Sequence, residues 1–145
     1  VVNDVLTFAG GEGVAMAQIM NYYQYPKSGM GNVNYKNPGS TLLVSADFGH
    51  TTYDWENMPA TLDESSSWDE IEAVSTLIFH CGAAAYMNYE WDTGADKEDV
   101  RKAFINNFGY DKNIQLYDRT FFSGIIRPIN GHLFAMAIIG ADFSI

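Results

Sequence analysis

Cysteine is almost absent: Cys81 is the only one in 145 residues. A single thiol excludes an internal disulfide and a zinc site built from cysteines. Lysine and arginine are scarce too, eight against eighteen Asp and Glu, which leaves a net charge of -10. A chain this acidic is repelled by nucleic acid and by anionic lipid, so neither is expected as a partner. The few cations form no cluster along the sequence. No run reaches the roughly 18 apolar residues of a membrane-spanning helix, so no membrane is expected either. No secretory leader opens the chain, as in a mature or trimmed product. Charged residues make up 18%, below the usual share of about 25%. Asn, Ser, Thr, Gly and Tyr must then make the surface polar, a composition common in proteins that work outside the cytoplasm.

What the chain does have is apolar mass, 47% of residues with 14% aromatic, enough for one packed core. Residues 1–145 read as a single domain. Because the chain ends inside strand-like sequence with no polar tail, the domain is expected to be truncated. The stretch from Thr7 to Pro26 organises the rest: a glycine-rich turn, Gly10-Gly11-Glu12-Gly13, runs into a helix that is apolar nearly all round. Such a helix start carries unpaired N–H groups and a partial positive charge, suited to a phosphate, a thiolate or an oxyanion.

In chain order, residues 1–9 read as an extended lead-in. A buried helix is expected over about 13–24, with Pro26 as its stop. Residues 27–35 read as a loop into a short strand, Asn37-Pro38-Gly39-Ser40 as a turn and 41–48 as a second strand. Thr51–Pro59 is aromatic and irregular. Ser67 and Glu70 fit a capping box before a helix over 68–82, with Ile71, Val74, Leu77, Ile78, Cys81 and Ala85 at helical spacing. An acidic loop follows. A third helix is expected over about 97–108, with Asp96 as N-cap, Gly109 past its end and Val100, Phe104 and Phe108 as its stripe. Residues 113–118, 124–130 and 132–145 read as strands. Helices lead and strands follow, which indicates α+β.

The chemistry offered by these residues is limited. A phosphate loop needs Lys and then Ser or Thr after its last glycine, whereas Val14-Ala15-Met16 follow here and Glu12 repels phosphate. His50, His80 and His132 are scattered and make no metal-ligand spacing; Asp92, Asp96 and Asp99 lack the calcium-loop pattern. No metal or cofactor is expected. Cys81 follows His80 directly, but neighbours on a helix point about 100° apart, and Cys81 falls on the apolar stripe. It reads as a buried structural thiol. His132, after Gly131 and before an apolar run, is of interest only if a helix start elsewhere supplies its partner.

Five collinear segments resemble the streptopain-like cysteine peptidases, which have a papain-like fold. That family typically reads Gly-Cys-Val-Ala-Thr-Ala-x-Ala-Gln-Ile-Met and then a Tyr-x-x-Tyr-Pro run. Here the corresponding stretch is Gly13-Val14-Ala15-Met16-Ala17-Gln18-Ile19-Met20, followed by Tyr22 to Pro26. TTYDWENMP at 51–59 is similar to the family's Tyr-Asp-Trp-x-Asn-Met, and LIFHCGAAAYMNY at 77–89 to a helix ending before Met-Asp-Tyr. Residues 93–111 continue the pattern, and 127–142 resemble its Arg-Pro-Val and Gly-His-Ala-Phe segment. The resemblance covers roughly residues 10–142.

The resemblance implies a papain-like α+β domain, its buried N-terminal helix packed on a partial antiparallel sheet. It implies peptide-bond hydrolysis by a helix-start thiolate and a histidine that protonates the leaving amine. It also implies a secreted bacterial protein and a peptide or protein as substrate or inhibitor. His132 matches the catalytic histidine. Pairing Val14-Ala15 with the Val-Ala after the family's cysteine puts the nucleophile position on Gly13, where the thiol is missing. Glu12, Gly131 and Leu133 flank the two positions as expected substrate contacts. The family's upstream oxyanion Gln and downstream Asn-Trp-Gly-Trp segment have no counterpart in the chain, and the spacing around His132 differs from the family's. The expected outcome is a degenerate, inactive peptidase domain. The alternatives are a non-enzymatic module that binds a peptide or inhibitor, with Gly13 leaving room for a peptide carbonyl, or a gene fragment without function.

Overall fold

A computed structural model of the chain describes residues 9–89, 94–118 and 136–139, with side chains described as far as Leu116. The expected strand at 124–130, the lead-in before Ala9 and Asp92 of the acidic loop lie outside the described residues.

Helix α1 spans Gly11–Tyr23 and starts two residues earlier than its apolar run predicts. Gly13, Ala15, Met16, Ala17, Ile19 and Met20 are buried, so the helix is covered on most sides as expected. It stops before Pro26 acts: Gln24 turns left-handed at φ 49, and its N–H closes on Asn21 and Met20.

Strands β1 (Asn32–Lys36) and β2 (Leu43–Asp47) form an antiparallel hairpin, pairing Asn32 with Asp47 and Tyr35 with Val44. The predicted turn joins them, with Asn37 N–H on Leu42 O at 2.8 Å and Gly39 at φ 77. Val33, Val44 and Ala46 point into the core, the alternation expected of a half-buried sheet. A single 3-10 turn, Trp55–Asn57, lies in the irregular aromatic segment.

Helix α2 spans Trp68–Ala84. Its capping box forms as predicted: Glu70 N–H donates to Ser67 Oγ at 3.2 Å, and Ser67 N–H donates to Glu70 Oε2 at 3.1 Å. The helix continues past its expected end at Gly82, and its buried face is Ala73, Leu77, His80, Cys81 and Ala84. Ile71, Val74 and Ile78 are only half-buried. Helix α3 spans Lys97–Asn106, with Asp96 as N-cap accepting from Glu98 N–H at 2.8 Å and Gly109 at φ 69 beyond its end. Val100, Phe104 and Phe108 are fully buried, as their spacing predicts.

Two further strands, β3 (Gln115–Asp118) and β4 (Met136–Ile139), pair in parallel. The antiparallel expectation therefore applies to the hairpin and not to this second pair. The three helices and the hairpin share one core, in which Met16 and Met20 of α1 meet Leu77 and Cys81 of α2, Phe104 and Phe108 around α3, and Val44 and Phe48 around β2. Helix α1 packs chiefly on α2 and also lies beside β4.

Candidate active site

The start of α1 is built by glycine. Gly10 is the N-cap at φ 74, ψ 138, a conformation only glycine adopts readily, and among the described residues no side chain caps the helix. The first helical bond runs from Val14 N–H to Gly10 O at 3.2 Å. The remaining N–H groups of the first turn keep their partial positive charge for whatever lies beyond the helix end. Gly11, the first helical residue, is exposed; Glu12 is half-buried and Gly13 buried.

Gly13 does not look out over an open seat. A Cβ placed there would stand 3.4 Å from Ile78 O, 3.5 Å from Met87 Cε and 3.6 Å from Gly82 N. Its free side therefore faces α2. The expectation that this glycine leaves room for a peptide carbonyl is corrected: the space beside it is the contact between two helices. Glu12 leans the other way, with Oε1 3.9 Å from the Cβ position of Gly94. Gly131, His132 and Leu133 lie outside the described residues. β4 begins at Met136, shortly after His132 in sequence, and runs alongside α1.

The remaining thiol and imidazole are core groups. Cys81 is wholly buried with Sγ 3.5 Å from Met20 Sδ, and burial pushes its pKa far above that of a free thiol. His80 points elsewhere: its Nδ1 lies 2.8 Å from the Tyr53 hydroxyl, among Phe48 and Phe79. Burial pulls the imidazole down to about 4, against a smaller opposing pull from Asp47, so the ring is neutral at pH 7 and shares one hydrogen bond with the Tyr53 hydroxyl. The two residues form no thiol–imidazole pair, as their helix spacing predicts.

The cations, scattered in sequence, are brought together in part. Lys97, Arg101 and Lys112 line one cleft between α3 and β3. Arg101 is used there as a brace, with its guanidinium on the carbonyls of Ile114 and Lys112 and on Glu98 Oε1. Among the described residues no group of three or more His, Cys, Asp or Glu could hold a metal ion. No described helix is long and apolar enough to cross a membrane. A groove of about 300 Å³ runs along α1 between α2 and the 58–62 segment, walled by Val14, Ala17, Leu62, Val74 and Ile78.

A central helix with an exposed, glycine-lined amino end, packed in an α+β domain, is the arrangement of the papain-like cysteine peptidases, and solved structures bear this out. The active cysteine protease interpain A of Prevotella intermedia superposes with a TM-score of 0.68 at 35% identity, covering 74% of this chain and 46% of that one. A prointerpain A fragment from the same organism matches equally well, with 36% of its length covered. The chain belongs to the peptidase C10 family, whose sequence model matches residues 2–130. Streptopain of Streptococcus pyogenes is 30% identical over 116 residues, 75% of this chain. The thiol protease/hemagglutinin PrtT of Porphyromonas gingivalis is 28% identical over 120 residues, 81% of this chain. The chain spans 29% of the length of streptopain and 14% of that of PrtT.

Proposed function

We propose that this chain is a C10 peptidase domain that does not hydrolyse peptide bonds, because the start of α1 carries no thiol. One observation carries the reading: the first turn, where a thiolate would be stabilised by the helix N–H groups, is Gly10-Gly11-Glu12-Gly13. Cys81 cannot stand in, since it is sealed in the core. Loss of a catalytic nucleophile lowers turnover by several orders of magnitude, and glycine offers no replacement.

The position of the missing thiol is better assigned to Gly11 than to Gly13. Counting back along the family motif from Ala17-Gln18-Ile19-Met20 without a gap lands on Gly11. Gly11 is exposed at the first helical position, whereas Gly13 is buried against α2. His132, set between Gly131 and Leu133, is the proposed partner histidine by its Gly-His-x-Phe context. The substrate class is a peptide or protein, and the working place is outside the cell, in keeping with the charge-poor composition and with the protease relatives. The apolar groove beside α1 supports a second reading, in which the domain binds a peptide without cleaving it.

Casein and peptide turnover should be absent with or without a thiol-directed inhibitor, and inhibitor-sensitive cleavage by this chain would overturn the proposal. The position is tested by alkylating Gly11→Cys and Gly13→Cys variants at neutral pH. The thiol at 11 should react readily and the thiol at 13 slowly; the reverse order restores Gly13. Calorimetric titration with extended apolar peptides tests the second reading, and no heat with any of them counts against it.

A further inference from the structure

We infer that Met87 is a positioning residue that sets the geometry of the α1 start. The inference rests on the reading of that helix start as the former nucleophile position. Met87 is wholly buried. Its thioether fills a socket made by three glycines on two helices. A Cβ on Gly10 would collide with Met87 Sδ and stand 2.7 Å from its Cε; one on Gly13 would lie 3.5 Å from Cε; one on Gly82 would lie 3.3 Å from Sδ. A single side chain thus packs under the N-cap of α1, under its first turn and over the last turn of α2.

The backbone around Met87 is fixed with equal care. Its N–H donates to Gly82 O at 3.0 Å, and its carbonyl accepts the Tyr35 hydroxyl at 2.7 Å. The preceding Tyr86 sits at φ 54, a left-handed conformation that an aromatic residue adopts only under constraint from its surroundings. Just beyond, Asn88 accepts from the buried Asn37 side chain at 3.0 Å, and Tyr89 N–H donates to Asn37 Oδ1 at 2.6 Å. These contacts hold the backbone on both sides of Met87. Among the described residues, no side-chain hydrogen bond caps the helix start at Gly10. The Met87 sulfur lies directly against Gly10, so the direction in which the first-turn N–H groups point depends on it. Those N–H groups lower the pKa of a thiol only while they converge on it.

The test uses the full chain with a reporter thiol. In Gly11→Cys, the rate of iodoacetamide alkylation across pH 5 to 9 gives the thiol pKa, and the parent chain gives the Cys81 background. The reporter pKa should lie below the ordinary value of about 8.5. Adding Met87→Ala should raise that pKa and slow alkylation at pH 6 by about two- to fivefold. Met87→Leu, which keeps the socket filled, should restore the profile. If Met87→Ala does not fold, Met87→Val carries the same prediction, with circular dichroism confirming the fold. A low pKa that Met87→Ala or Met87→Val leaves unmoved overturns this inference alone. An ordinary pKa in Gly11→Cys itself overturns the reading of the helix start, and this inference with it.

Discussion

His80 and Tyr53 join α2 to the irregular 51–59 segment through one buried hydrogen bond of 2.8 Å. Protonation of the imidazole would place a charge among the rings of Phe48, Tyr53 and Phe79. Asp47 is the acidic group whose field opposes the resulting downward shift. The sign follows from linkage. The folded imidazole titrates at about 4, whereas the unfolded one titrates near 6.5. The unfolded chain therefore takes up the proton first as pH falls. The contribution is complete above about pH 6.5 and lost progressively down to about pH 4, with an upper bound of about 3 kcal/mol. Urea midpoints at pH 7 and pH 4.5 should differ accordingly. His80→Gln, which cannot titrate, should flatten this part of the profile, and an unchanged slope in that variant would assign the acid sensitivity to the carboxylates. Cys81 makes the companion case: its thiol should stay silent to a disulfide reagent in the native chain and react only on unfolding.

Among the elements, α2 was the most legible in sequence, because a capping box is a local device. Ser67 and Glu70 are three residues apart, and the chemistry that joins them needs no tertiary partner. Ser67→Ala should cost about 1 kcal/mol, read as a lowered urea midpoint. The carboxyl end of the same helix was poorly legible. The expected helix ends at Gly82, yet Gly82 lies inside the observed one, with Tyr89 and Met87 in the space a side chain would need. Gly82→Ala should destabilise by about 1–3 kcal/mol through that clash, although alanine is the better helix former. Tyr89→Phe in the same chain should recover part of the loss, since the hydroxyl is the atom in the way; no recovery would place the strain at Met87. The helix start of α1 divides the same way. Its glycine-rich turn and apolar run announced a buried helix with a free amino end. Which glycine faces outward, and that Met87 supports it, depended on packing against a segment remote in sequence. Spacing arguments do not reach that far, and the same limit hid the gathering of Lys97, Arg101 and Lys112.

For the whole molecule, the question is whether a domain whose helix start carries no thiol is still held as one unit. The core argues that it is. Leu77 is 2% exposed and lies among buried residues contributed by α1, α3 and the hairpin, so no element keeps its apolar face covered once another leaves. Long-range hydrogen bonds tie the same parts: the Tyr110 hydroxyl donates to Tyr25 O at 2.8 Å, and the Trp55 indole donates to Pro26 O at 2.9 Å. A chain that had merely decayed would be under no constraint to keep such pairs satisfied, and among the described residues no buried side-chain nitrogen or oxygen lacks a partner. Thermal unfolding should therefore be a single transition, with near- and far-ultraviolet circular dichroism coinciding. Leu77→Ala should lower stability by about 2–5 kcal/mol and move both signals together. A flat melt, or two signals that separate in the variant, would mean that the helices do not share one core. The reading as a fragment without function would then replace that of a folded peptidase C10 domain.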